Sequence, residues 1–496
     1  MQVKHFGCFS VLVVIAVLMP LCQSLRAQDI RSLGDSPLGN PASNRDLHRV
    51  NDDYYDYASH HSNDLEDRIA DLEKDLEKAN FKINELIQPG HSKSKMKIVG
   101  RVHVDGWAVP EDSAGINIIE NGDPAESPQD RLGFRRVRFG VRGDLPSNME
   151  YRIEIEFAGG NKSEFRDAWL GWNDLPFLQK VLIGNQKRPY GLAHLNSSRF
   201  SVFMERPWVI ESFNQDCRRL GICSYGLSED QRWNWRYGCY NQRLIQDEGN
   251  YISDHYQLEF AGRIANTLWY DERSGGAGYA HWALSGTVAN PDGTNGGPRA
   301  SNEARFRQRP EARTMSRWLD TGQIDGADWY RMLGLEGLLN LGPLQFVGEY
   351  QNLWLDRDAG FGDQVHLHGG YVYASYFLTG EHMNWSRKSG TLGRLKPHEN
   401  FFLVNTCSGG RGSGWGAWQI ACRYSYADFN DQNINGGIAD SVTFGVNWYW
   451  TPYARLQFNY IYGEVEDRDA NNTSDDLANI VSGDFGIIGV RAMVDF

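Results

Sequence analysis

The sequence predicts an all-β protein, an antiparallel transmembrane β-barrel preceded by a short N-terminal coiled-coil helix. Three observations predict it. Strands of about ten residues recur with one apolar face. Aromatic residues gather near the strand ends. The chain closes on an alternating stripe that finishes at Phe496. Composition agrees: 12% of the residues are aromatic, there are 53 glycines, and the mean hydropathy of -0.53 is too polar for a bundle of membrane helices.

The elements follow in order. Lys4 and His5 precede the apolar run VLVVIAVLMPL, which is too short to cross a bilayer, so residues 1–27 read as an export signal. Residues 28–62 are rich in Asn, Asp, Ser and Gly and read as a polar linker. Residues 63–88 place Leu65, Ile69, Leu72, Leu76, Ala79, Ile83 and Leu86 at alternating spacings of four and three. That is a heptad seam, and it predicts a coiled coil rather than a lone amphipathic helix. QPGHSKSK then ends the helix.

Residues 96–496 are expected to form the barrel, with no helix from Met96 onward. In YRIEIEFAG, Tyr151, Ile153, Ile155 and Phe157 alternate with Arg152, Glu154 and Glu156. In SVTFGVNWYW, Val442, Phe444, Val446, Trp448 and Trp450 share a face, and Leu456, Phe458, Tyr460 and Tyr462 continue it after the TPYA turn. Ile488, Val490, Ala492, Val494 and Phe496 make the last stripe. One side of such a barrel must face lipid, the inside is free to be polar, and closure satisfies the backbone. Short and long connections mix, and NPDGTNGGPRASNEARFRQRPEARTMSRW is expected to be the longest and most basic.

Charge is unevenly built. The whole chain carries -13, which argues against a nucleic-acid partner. Residues 101–496 nevertheless hold 33 Arg and only 5 Lys. Arginine suits planar, bidentate contact with phosphate and carboxylate. In LGFRRVRFGVRGDL, Arg136, Arg138 and Arg142 share one face while Val137, Phe139 and Val141 fill the other. Elsewhere the chemistry is thin. His366 and His368 share a strand face without a third metal ligand, so no metal or other cofactor is expected. No phosphate loop, nucleophile elbow or zinc motif argues for an enzyme. Among Cys217, Cys223, Cys239, Cys407 and Cys422, the 217–223 pair lies in a loop-like context and is a candidate bridge.

These segments also carry a family resemblance. GRVHVDG, FRRVRFGVRG, IGNQKRPYGL, SSR, FMERP, GPLQFVGEYQ, YASYFLTGE, GWGAWQIACRYSYAD and TFGVNWYWTP stand in an order that resembles the phosphate-selective porins O and P, over residues 98–496. The resemblance implies 16 strands, a homotrimer of separate pores in the outer-membrane lipid of a Gram-negative bacterium, and an arginine ladder leading anions to a narrow eyelet. Carried over residue by residue, Arg101, Arg135 and Arg136 match ladder arginines, and Arg305, Arg307, Arg309 and Arg313 match the upper ladder. Adjacent Arg135 and Arg136 cannot both face the interior of a regular strand. A family lysine corresponds to His194 and another to Thr391. Conversely, Arg138 replaces an aromatic, and Arg166 stands near an eyelet carboxylate.

The implied function is an anion-selective porin for phosphate, diphosphate or polyphosphate, with a periplasmic N-terminus. The alternatives are a general solute or sugar porin, and a structural tether that binds peptidoglycan through the N-terminal region.

Overall fold

A computed structural model describes Leu76 and residues 94–159, 162–213, 217–245, 256–291, 302–402, 404–405, 409–470 and 479–496. The expected signal, the linker and, Leu76 apart, the coiled-coil helix lie outside the described residues, as does Cys407.

Period-2 alternation builds sixteen long strands. The first eight are Lys95–Asp112 (β1), Arg131–Leu145 (β2), Met149–Glu156 (β3), Glu164–Leu175 (β4), Gln179–Lys187 (β5), Arg218–Leu227 (β6), Trp233–Asn241 (β7) and Leu258–Tyr270 (β8). The rest are Gly278–Ala289 (β9), Ala327–Leu341 (β10), Leu344–Arg357 (β11), Val365–Phe377 (β12), Ala417–Asp431 (β13), Ile434–Thr451 (β14), Ala454–Asp469 (β15) and Ile480–Asp495 (β16). Each pairs antiparallel with its sequence neighbour, and β1 pairs with β16 to close the barrel. Closure leaves no edge strand, which a hydrocarbon surround demands. Phe496 completes the seam by exchanging backbone hydrogen bonds with Gly100, at 3.0 and 3.1 Å.

The faces fall as the alternation requires. On β14, Phe444 turns outward and is half exposed, while Ser441, Thr443 and Asn447 point inward and are buried. The last stripe behaves likewise, with Val490, Val494 and Phe496 outside and Arg491 inside.

One end of the barrel has tight turns, such as Leu341–Leu344, where Gly342 takes φ 60°. The other end has the long loops 188–217 and 290–326. The connection 378–416 breaks this pattern. It lies on the tight-turn side and is longer than 290–326, so the basic mid-chain loop is not the longest. The hydrophobic core sits inside the lumen, because these segments fold inward. Trp208, Phe213 and Trp318 from the loops pack on Phe429 and Phe485 of β13 and β16; Trp318 and Phe485 meet edge-on at 4.8 Å. Fully burying one such phenyl ring contributes on the order of 2–3 kcal/mol.

Two expectations are corrected here. Three short helices do form after Met96: Ala114–Asn121 (α1), Leu192–Leu195 (α2) and Trp208–Ser212 (α3). All lie in connections, and α1 buries Ile116 and Ile119 before ending at Gly122, φ 79°. Runs this short give too few turns for a helical period to show. Cys217 and Cys223 lie along extended chain, with Cys223 inside β6. Six residues of strand span roughly 20 Å, beyond the roughly 7 Å that a disulfide permits between Cα atoms.

Candidate functional site

Inside the barrel lies a cavity of about 1290 Å³. Its wall comes from β1–β7, and residues of 188–217, 290–326 and 378–416 complete it. Fifteen arginines and four lysines line it against six carboxylates. A chain of net negative charge therefore encloses a cavity whose lining carries more cations than carboxylates.

Strand β2 shows how the arginines arrive. Arg136, Arg138 and Arg142 line the cavity by simple alternation, while Phe139 points out. Arg135 lines it too, against the expectation from a regular strand. The register explains this. His103 faces Arg136 and Val104 faces Phe134, so Arg135 is an extra residue in a β-bulge. A bulge shifts the alternation by one and turns two adjacent side chains to one face. Strand β4 repeats the device. Ile153 faces Ala168 and Ile155 faces Phe165, and both Arg166 and Asp167 reach the cavity.

A layer of carboxylates holds most of these guanidiniums in place. Glu154 accepts from Arg101 at 3.2 Å, Glu156 from Arg138 at 2.6 Å, and Asp167 from Arg218 at 3.0 and 3.1 Å. Glu164 accepts from Arg166 at 2.8 Å. Glu205 grips Arg135 at 2.6 and 2.9 Å and also accepts from Arg491, which Asp105 holds from the other side. Two-point contact of this kind fixes orientation as well as charge.

Arg136 differs. It is 6% exposed, its Nε and Nη1 have no hydrogen-bond partner, and no carboxylate pairs with it among the described residues. Across the β1–β2 register sits His103, fully buried, with both ring nitrogens also lacking a partner. A desolvated cation without a counter-charge costs several kcal/mol. An anion in the cavity would remove that cost.

The loop 290–326 adds a second cationic group. Arg309, Arg313 and Arg317 line the cavity at intervals of four residues. Burial, followed by the charge of Arg317, lowers the pKa of Arg309 to about 10. Arg135 and then burial do the same for Arg313, again to about 10. Burial and then Arg307 bring Arg317 to about 10. All three remain charged at neutral pH, and their lowered values come from burial together with neighbouring arginines.

Of the path residues named from the sequence, the cavity brings together Arg101, Arg135, Arg136, Arg138, Arg142, Arg166, Arg309 and Arg313. Three fall elsewhere. Arg305 is turned to Asp320, at 2.6 and 2.8 Å, and neither it nor Arg307 lines the cavity. His194 is buried on α2 against Tyr190, with ring centroids 5.5 Å apart, outside the lining. Burial, then Arg206 and Lys187, holds its imidazole well below the usual range, so it adds no charge. The side chain beside it that reaches the cavity is Lys187. It lines the cavity, and its Nζ donates to the carbonyls of His194, Leu195 and Asn196 at 3.0, 2.8 and 2.8 Å.

Sequence reasoning missed several lining residues. Arg317 continues the spacing of 309 and 313, and Arg152 alternates with Glu154, so both left a signal. Arg199, Arg206 and Arg394 left none, because folding of the connections brings them in, and Arg218 opens β6. His366 and His368 stack at 5.1 Å and bond to Asn352 and Tyr350. No group of three or more metal ligands forms among the described residues.

A closed sixteen-strand barrel around a charged cavity defines a pore of the outer-membrane type. The chain belongs to the phosphate-selective porin O and P family, whose model matches residues 114–496, and it is an outer-membrane porin. It is similar to an uncharacterised protein of Caulobacter vibrioides, 26% identical over 416 residues, covering 81% of this chain and 74% of that one. A shorter match reaches Porin O of Pseudomonas aeruginosa, 27% identical over 155 residues, covering 29% of this chain and 32% of the relative. Among solved structures it is similar to an anion-selective porin from Comamonas acidovorans, 16% identical, covering 82% of this chain and 100% of the other at a TM-score of 0.46.

Proposed function

We propose that this porin passes small anions, with phosphate and diphosphate as the favoured substrates, along an arginine-lined path. The observation that carries this reading is the uncompensated charge: among the described residues no carboxylate is ion-paired with Arg136, or with Arg309, Arg313 and Arg317. A ring of guanidiniums in a narrow, low-dielectric neck lowers the cost of dehydrating an anion and raises it for a cation. The loop arginines gather anions from the mouth, and Arg135 and Arg136 receive them at the bulge.

Arg136 and Arg138 stand about 7 Å apart along one strand face. Two like charges at that spacing repel, and an anion between them relieves the repulsion. A multivalent anion gains more than chloride, because Coulomb energy scales with charge. Diphosphate is favoured over phosphate because its greater charge and length suit arginines spread along the path. The working assembly is a homotrimer, with the N-terminal region in the periplasm and free to reach peptidoglycan.

Single-channel recording in a KCl gradient tests the reading. The reversal potential should report anion preference, and added phosphate should block chloride current. Weak selectivity and no phosphate block would instead make this a general solute porin. An absence of conductance would leave the tether.

A further inference from the structure

The connection 378–416 does two things. Its first part enters the lumen, where Lys388 and Arg394 line the cavity. Farther along, residues 401–402 and 414–415 lie against the outer wall of β13 and β14 on the tight-turn side. The backbone N–H of Phe401 donates to the carbonyl of Trp450 at 2.7 Å, and that of Phe402 to Gly414 at 3.2 Å. The ring of Phe401 lies 4.5 Å from that of Trp448, which stacks on Trp418 at 4.9 Å. Both of those indoles donate to the carbonyl of Trp415, at 3.2 and 2.8 Å. The site is therefore built, not frayed.

Its outer surface is apolar and open. Phe402 is 60% exposed and Trp415 is 76% exposed. Phe402 sits at φ 58°, a left-handed conformation that costs free energy for a bulky residue and here turns the ring away from the protein. The indole N–H of Trp415 makes no hydrogen bond among the described residues.

We propose that this aromatic foot inserts into the lipid leaflet on the tight-turn side and anchors the barrel there. Two arguments select lipid as the occupant. The foot continues the outward face of β13 and β14, which an outer-membrane barrel presents to lipid, and Trp is the residue that suits the boundary of chains and headgroups. The free indole N–H then meets an ester or phosphate oxygen of a phospholipid. A second copy of the chain fits elsewhere. β13 and β14 have 15 and 18 residues, more than the roughly 9–11 that a tilted strand needs to cross. The low wall, with strands of 8, 9, 10 and 9 residues, is at β3, β5, β6 and β7. This proposal is independent of which solute passes.

Spin labels on a non-natural ketone side chain at position 402, in the full chain reconstituted into phosphatidylethanolamine and phosphatidylglycerol vesicles, test it. Labels at 444 and 399 give the lipid-facing and water-facing references. Oxygen should relax the 402 label more than a water-soluble nickel chelate does, at a depth between the two references. Nickel access at 402 equal to that at 399 overturns the proposal, since the foot then faces water. Exclusion of both relaxers overturns it too, since protein then covers the foot.

Discussion

The two halves of the lumen follow one strand pattern and end in opposite electrostatic states. On β8–β16, the inward polar groups are matched to the infolded loops. Asn447 and Gln457 donate to the carbonyl of Val202, Ser441 accepts from the indole of Trp208, and Glu311 takes both Arg423 and Thr443. On β1–β7, cations outnumber carboxylates and Arg136 is left without a partner. None of the described lining residues comes from β8–β16. One half uses its polar groups to hold the loops, and the other keeps a surplus for a mobile ion. The surplus, rather than the number of arginines, marks the passage.

The largest effect should come from breaking the matched half. Glu311→Gln leaves Arg423 charged and buried, which costs about 3–5 kcal/mol. Gel migration after stepwise heating should show unfolding at a clearly lower temperature. An unchanged transition would mean that the loops are not held by this pair.

Breaking the surplus half should change transport; Arg136→Gln spares stability, whereas Arg138→Gln also frees the buried Glu156 that holds it. Arg136→Gln with Arg138→Gln should weaken phosphate block about tenfold, roughly 1.4 kcal/mol, and move the reversal potential toward zero. An equal block in the variant would place the anion site elsewhere. Replacing Arg309, Arg313 and Arg317 together by Gln should lower anion conductance on the order of tenfold at low salt and little at 1 M, where screening removes steering. A loss independent of salt would point to a collapsed loop.

pH separates the two halves more gently. Arg135 holds Glu205 well below the usual carboxylate range, and Arg206 lowers Glu211. Groups with depressed values contribute stability above the unfolded carboxylate pKa of about 4.3, and lose it as pH falls through the folded value. Burial keeps His194 neutral. Selectivity should therefore stay flat from about pH 5.5 to 8. A step near 6.5 in reversal potential would show that a histidine feeds charge into the path. The smallest effect is expected from Arg305→Gln. Its guanidinium is turned to the buried Asp320 and away from the cavity, so selectivity should not move.

Legibility followed the range of the interactions. Alternation made the inward arginines of β2 readable, and the 309–313 spacing was readable for the same reason. The pairing of Arg135 with Arg136 was not, because a bulge exists only relative to a neighbouring strand, and nothing in FRRVRF states its register with His103. The difference between Arg305 and Arg309 was equally hidden. Both lie in one basic stretch, and only the position of Asp320 separates a neutralised guanidinium from a lining one.

The sequence by itself determined that this chain crosses the membrane with strands, which side chains of each strand meet lipid, and that its interior is rich in arginine. Those properties follow from a two-residue period and from side-chain chemistry, which are local. Tertiary structure alone decided which arginines keep a counter-charge. Carboxylates such as Glu205 and Glu311 reach their partners only when distant connections fold into the lumen. A net charge at one point is the sum over everything packed around it, so it cannot be read along the chain.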